Sequence, residues 1–199
     1  EISACLVGSE MCIRDSYPGI ELHMDESDRL VDLMREGIDC VLRGGTPQDS
    51  SLIARRIAML EQVTCASPAY LARYGQPRSI EDLAQHKAVN YISSASGKPF
   101  PLEFMVDGHM QSIVLPTAIS VTGTKVYTGC ALAGIGIVQM PRYHIEHEIQ
   151  DGRLQLILPD TPPPRMPLSV LYPQNRQLSA RIRVFSEWMQ DIFKAAGQT

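Results

Sequence analysis

Residues 17–45 read YPGIELHMDESDRLVDLMREGIDCVLRGG. The run GIELHM (19–24) predicts a strand, and Asp25–Ser27 form a cap region after it. Leu30, Val31, Leu33 and Met34 then supply one apolar helical face, which Gly37 is placed to end. IDCVLR (38–43) predicts a second strand, followed by Gly44 and Gly45. Strand, helix and strand at this spacing make a βαβ unit, so the two strands are expected to run parallel.

The rest of the chain repeats the alternation without repeating the sequence. Residues 61–66 predict a strand; Ser67 caps a helix with Pro68 at its first position, and Gly75 closes it. Ser79 and Asp82 form a capping-box pattern for a short helix over SIEDLAQH. KAVNYI (87–92) predicts a buried strand, and SSASGKPFP (93–101) a polar loop. EFMV and SIVL flank Asp107-Gly108, a hairpin signal. AISV (118–121) runs through Thr122-Gly123-Thr124 into a helix ending at Ala133. IVQM, a helix from Pro141 to about Asp151-Gly152, RLQLIL (153–158), LSVLY (168–172) and a last helix complete the chain. That helix spaces Leu178, Ile182, Phe185, Met189 and Ile192 as a core face.

This alternation predicts an α/β fold with parallel sheets covered on both faces. Strands 61–66 and 168–172 are the candidates for crossings between two lobes. Ligands of open α/β sheets bind beyond the carboxyl ends of strands. Here those loops are 25–29, 43–47, 93–98 and 122–124.

Composition narrows the function. The 199 residues are 44% hydrophobic and 20% charged, enough apolar material for a core, and the net charge of −4 offers no basic field for nucleic acid or an anionic membrane. No run reaches the ~20 apolar residues of a membrane span. The first sixteen residues, EISACLVGSEMCIRDS, lack the basic start and apolar core of a signal peptide. Five cysteines (Cys5, Cys12, Cys40, Cys65, Cys130) form no CxxC pair and read as reduced thiols.

Motifs for chemistry are missing. There is no GxSxG, and the spacing from Ser94 to Lys98 is one residue too long for Ser-x-x-Lys. No cysteine has a neighbour that would activate it. His144 and His147 in HIEHE sit one helical turn apart with no third metal ligand indicated, as on a solvated helix face. Gly134-x-Gly136 precedes a strand, the wrong order for a dinucleotide loop. No catalytic residue, metal or cofactor is therefore expected.

Thr122-Gly123-Thr124 is a better candidate. It leads a strand into a helix amino end, where N–H groups and two hydroxyls suit a carboxylate; helix capping by Thr122 or Thr124 is the alternative. The same two readings apply to Ser27, Ser93 and Ser94. Arg43, before Gly44, Gly45 and Thr46, is either a ligand cation or a solvated strand end.

Several segments, in this order, are diagnostic together: YPGIEL, DLMREGIDCVLRGGTPQDSSLIARRIAMLEQVTCASPAYLARYGQPRSIEDLAQHKAVNY, ALAGIGIVQMP and DGRLQLILPDTPPPRMPLSVLYPQNRQLSARIRVFSEWM. Over residues 17–193 the chain closely resembles the effector-binding domain of LysR-type transcriptional regulators. The resemblance implies a two-lobed, periplasmic-binding-protein-like (type 2) α/β fold with two crossing strands. It implies a first lobe of residues 17–62 plus 166–199, a second lobe of 63–165, and an inducer between them. The effector-binding residues would be Ser27, Arg43, Gly44, Gly45, Thr46, Ser93, Ser94, Thr122, Gly123 and Thr124; many members carry an asparagine where Thr122 stands. It also implies a homodimer through the first lobe, a tetramer of the longer parent protein, a cytoplasmic location, and DNA contact only through an N-terminal winged helix-turn-helix.

Residues 1–16 depart from the family pattern. ACLVGSEMCIRDS resembles translated sequencing adapter, so the segment is expected to be non-native. The family's first strand would be missing with it, which predicts a poorly stable chain that does not bind DNA specifically by itself. Two other functions fit the same scaffold: a solute-binding protein of a transport system, and an enzyme carrying a convergent acid–base or metal cluster.

Overall fold

The computed structural model describes residues 17–25, 29, 31–47, 51–94, 96–174 and 179–198. Ser27, Leu30, Leu178 and the segment 1–16 lie outside them. The strands are β1 (Val41–Gly44), β2 (Leu52–Leu60), β3 (Gln62–Ala66), β4 (Ala88–Tyr91), β5 (Leu102–Val106), β6 (His109–Ile113), β7 (Thr117–Val121), β8 (Val138–Pro141), β9 (Gln155–Leu156) and β10 (Met166–Pro173). The helices are α1 (Leu33–Glu36), α2 (Pro68–Tyr74), α3 (Thr124–Leu132), α4 (Glu146–Gln150) and α5 (Ala180–Ala195). Two 3-10 turns cover Glu81–Gln85 and Arg142–His144.

The chain divides into two compact units, one from 62–164 with Arg29, the other from the segments before 26, 31–61 and 165 onward. The discontinuous unit is a three-stranded antiparallel sheet in the order β1-β10-β2. β2, its nine-residue strand, is absent from the sequence reading. Leu168 faces Ala58 and Ser169 faces Arg56, so Ile57 is an extra residue in the ladder. Such a bulge breaks the two-residue alternation by which a strand is recognised. α5 lays Ile182, Ser186, Met189 and Phe193 into this unit, with Trp188 also buried. The inward face therefore runs through Trp188 and Phe193, while Phe185 and Ile192 are half-buried.

Two expectations for residues 17–45 are corrected. GIELHM forms no strand: a turn closed by the Ile20 N–H on the Tyr17 carbonyl (2.9 Å) leads into irregular backbone through Asp25. A strand exists only as part of a ladder, and no described strand pairs with this segment. β1 pairs antiparallel with β10, so the parallel βαβ pairing is not made. The helix between is a single turn capped by Asp32, whose Oδ1 accepts the Arg35 N–H at 3.1 Å. Gly37 ends it as predicted, in the left-handed region at φ 69°.

The continuous unit holds a mixed sheet. β3 pairs antiparallel with β8 and β9, and β4 pairs parallel with β7. A parallel bridge between Ala88 and Ile137 joins the two groups. Most pairs are thus antiparallel, against the expectation of parallel sheets. β3 takes its neighbours from more than seventy residues downstream, so the local β3–α2–β4 order does not set strand direction. Both faces are covered. Val63, Cys65, Val89, Val138 and Met140 pack with Tyr127 of α3, and Ala66, Ala88 and Ile137 pack with Tyr70, Leu83 and Phe104.

Local signals are well obeyed in this unit. Ser67 Oγ accepts the Tyr70 N–H at 3.3 Å, Pro68 opens α2, and the Gly75 N–H closes on the Leu71 carbonyl at 2.9 Å. β5 and β6 form the hairpin, with Asp107 (φ 49°) and Gly108 (φ 78°) as its left-handed pair. SIEDLAQH is a 3-10 turn; Asp82 accepts the Arg78 and Ser79 N–H groups, half of the capping box. RLQLIL is shorter than predicted: only Gln155 and Leu156 pair.

Candidate functional site

β4 and β7 are adjacent and parallel, with Tyr91 beside Val121 at their ends. The Ile92 N–H donates to the Val121 carbonyl at 2.7 Å, extending the contact one residue further. The two loops that follow, one with Ser93 and Ser94 and one with Thr122, Gly123 and Thr124, therefore start side by side. Sequence reasoning named both.

The 93–98 loop is closed at its base. The Ser93 N–H reaches the Lys98 carbonyl (2.9 Å), the Gly97 N–H the Ser93 carbonyl (2.8 Å), and Ser93 Oγ accepts the Ser96 N–H (3.3 Å). Ser93 is buried by these bonds, whereas Ser94 is exposed. In the neighbouring loop, Gly123 is the N-cap of α3 and no side chain caps the helix. Capping by Thr122 or Thr124 is thus not what the hydroxyls do. Glycine has no side-chain oxygen to offer, so among the described residues no N-cap side chain offsets the partial positive charge of this amino end.

α3 is anchored from behind. Tyr127 is buried, its hydroxyl accepts the Gln139 N–H at 3.1 Å, and burial pushes its pKa up. The Gln139 amide donates to Thr64 Oγ1 (3.0 Å) and to the Glu103 carbonyl (2.9 Å) and accepts the Glu103 N–H (2.9 Å). One glutamine thus ties β3, β8 and β5 together with both ends of its amide used. Nothing in the local pattern announces it, because a single polar residue in IVQM reads as the outward face of a strand.

Arg43, Gly44, Gly45 and Thr46 belong to the other unit. Arg43 is half-buried in β1 opposite Ser169, and Gly45 (φ 88°) turns the chain, its N–H on the Pro167 carbonyl at 2.9 Å. Gly44 and Thr46 are exposed. Ser27 lies outside the described residues.

Burial pushes the thiol of Cys65 up to about 12; that of Cys40 rises to about 11, through burial first and nearby Asp39 second. Both stay protonated near neutral pH and make poor nucleophiles. In HIEHE, Glu146 pairs with Arg142 at 2.7 Å and His144 stacks on Tyr143 at 4.1 Å. Among the described residues no three His, Cys, Asp or Glu side chains gather as a metal site, and no helix is long and apolar enough to cross a membrane.

The LysR substrate binding domain matches residues 13–194. An uncharacterized HTH-type transcriptional regulator of Escherichia coli K12, YhjC, is 36% identical over 178 residues, which are 89% of this chain and 60% of that protein. The chain spans about 60% of the length of the curated relatives it matches (56–62% for the first three). The regulatory domain of CrgA from Neisseria meningitidis superimposes with a TM-score of 0.76 at 24% identity, covering 94% of this chain and 90% of that one. The effector domain of AmpR from Pseudomonas aeruginosa gives 0.76 at 17% identity over 96% and 90%. The fold is thus that of LysR regulatory domains, the two-lobed, periplasmic-binding-protein-like α/β class that the sequence implied. With the family model matched over residues 13–194, this chain belongs to the LysR substrate-binding domain family.

Proposed function

We propose that this chain is the small-molecule sensor of a LysR-type transcription regulator and performs no catalysis of its own. The observation that carries the reading is the pairing of β4 with β7. It sets Ser93 and Ser94 beside Thr122–Thr124 at the carboxyl ends of parallel strands, where a helix amino end has no side-chain cap. Such a place favours an anion, so the effector is a small carboxylate. The family resemblance adds Ser27, Arg43, Gly44, Gly45 and Thr46 as further effector contacts. The exposed Ser94 and Thr122 hydroxyls bind the effector without reacting, a reading supported by the lack of a His, Cys, Asp or Glu cluster among the described residues.

In the longer parent protein the effector biases a DNA-bound oligomer, a tetramer built on homodimers of the first lobe, in the cytoplasm. A separate winged helix-turn-helix supplies the DNA contact. The named relatives are HTH-type regulators, which supports this reading over that of a transport protein.

A thermal-shift screen of the chain against small acids, amines and neutral sugars tests the sensor. Acids are expected to raise the melting temperature, and Ser94→Ala with Thr122→Ala to reduce the shift without changing the ligand-free melt. A hit set without anions overturns the proposal.

A further inference from the structure

A cleft of about 430 Å³ lies wholly within the 62–164 unit and shares no residue with the loops at 93–98 and 122–124. Three segments wall it: the stretch from α2 into the 3-10 turn at 81–85, the β5–β6 hairpin, and the turn at 158–161. Hydrogen bonds to backbone fix all three. Asp82 Oδ2 accepts the Arg78 and Ser79 N–H groups at 2.9 and 3.2 Å. The Thr161 N–H closes on the Leu158 carbonyl at 3.1 Å, and the Met105 N–H on the Pro162 carbonyl (2.9 Å) ties that turn to the hairpin.

Part of the lining is apolar. Leu158 is buried, and Ile80 and Val106 pack half-buried against the same core cluster. The charges are exposed, with Arg78 on the first wall and Asp160 on the third. No ion pair joins them, and neither has a charged partner among the described residues. The nearby acids are engaged: Glu81 by the Ser79 side chain, Asp82 by the two N–H groups. One guanidinium and one carboxylate thus share a cleft without satisfying each other.

A simple anion there is repelled by Asp160, and a simple cation by Arg78. A zwitterion meets both with opposite charge, and a guanidinium fork donates two parallel bonds to a carboxylate. The volume lies near the lower end of small-molecule pockets, about 300–1,000 Å³, which matches one small metabolite. The apolar lining asks that this zwitterion carry a hydrocarbon group. We infer that the cleft binds a free α-amino acid with an apolar side chain: its carboxylate on Arg78, its ammonium on Asp160, and its side chain on Ile80, Val106 and Leu158. This site is separate from the proposed effector loops and stands or falls without them.

Calorimetric titration of the chain with L-leucine, glycine, L-leucinamide and N-acetyl-L-leucine tests it. Glycine lacks the side chain, leucinamide the negative charge, and N-acetylleucine the positive one. Leucine is expected to bind roughly tenfold tighter than each of the three. Arg78→Met brings the ratio of leucine to leucinamide to about one, and Asp160→Asn does the same for leucine against N-acetylleucine. A general loss of the cleft would not give this crossed pattern. Circular dichroism melts of the ligand-free variants verify folding; a variant that has unfolded is replaced by Arg78→Gln or Asp160→Ala for the same comparison. No binding of leucine at millimolar concentration, N-acetylleucine or glycine binding as tightly as leucine, or ratios unchanged in both variants overturns the inference. Leucine binding that is lost in Thr122→Ala but kept in the Arg78 and Asp160 variants places the amino acid at the 122–124 loop and overturns it as well.

Discussion

Two glycines of the 127–140 segment carry opposite requirements. Gly136 lies where two backbones touch: an added Cβ would sit 2.8 Å from the Lys87 carbonyl oxygen and 2.9 Å from the Ala88 carbonyl carbon. Backbone cannot rotate aside as a side chain can, so β8 would have to part from β4 at the bridge between Ala88 and Ile137. Gly136→Ala is expected to cost about 1–3 kcal/mol in urea denaturation. Gly129, exposed in the middle of α3, meets nothing within 4 Å. There alanine only removes chain entropy, and Gly129→Ala is expected to stabilise by about 0.5–1 kcal/mol. A loss at Gly129 or a gain at Gly136 would contradict this account. From sequence, the G-I-G pair is marked only as preceding a strand; the backbone Gly136 presses on lies nearly fifty residues earlier, which no local pattern encodes.

At the scale of elements, one buried contact joins α2 to β4. The Tyr70 hydroxyl accepts the Lys87 N–H at 2.9 Å and lies 3.2 Å from the Lys87 carbonyl oxygen and from His86 Nδ1. Tyr70 and His86 are both buried, and burial lowers the His86 pKa, with Asp82 opposing it more weakly. A histidine whose folded pKa is depressed binds fewer protons than it does in the unfolded chain. Stability is thus expected to fall as pH drops below about 6.5 toward the folded value. Melting temperatures measured from pH 8 to pH 5 are expected to fall more steeply for the native chain than for His86→Gln. Equal slopes would show that other groups set the pH response.

Elements differ in how far sequence announces them. α2 carries its own start and stop in Ser67, Pro68 and Gly75, and the β5–β6 hairpin carries Asp107-Gly108, so both were legible. β2 was not, because the bulge at Ile57 buries Ile57 and Ala58 in succession and so breaks the alternation. GIELHM has strand composition, yet composition supplies no partner. The site shows the same division. Ser93–Ser94 and Thr122–Thr124 were legible as loops after strands. The pairing of 91–93 with 98–100, through the Phe100 N–H on the Tyr91 carbonyl and the bridge between Ile92 and Pro99, was not legible in the polar, proline-containing loop.

For the whole molecule, connectivity gives the two units unequal independence. β10 is the central strand of the first unit, pairing β1 on one side and β2 on the other, and it enters after residue 164. Cutting the chain there leaves β1 and β2 without a shared partner and takes α5 with it, so this unit is expected to unfold. The second unit is continuous from Gln62 to Pro164 and holds both clusters that cover its sheet. Its two ends are fastened to each other, since Gln62 Nε2 donates to the Pro164 carbonyl at 2.9 Å. A fragment of residues 62–164 is therefore expected to fold alone and to melt in one cooperative transition. Gln62→Ala, which opens that clip, is expected to lower the fragment's stability by about 1 kcal/mol. A fragment without a cooperative transition would mean that the sheet β7-β4-β8-β3-β9 needs the first unit to form.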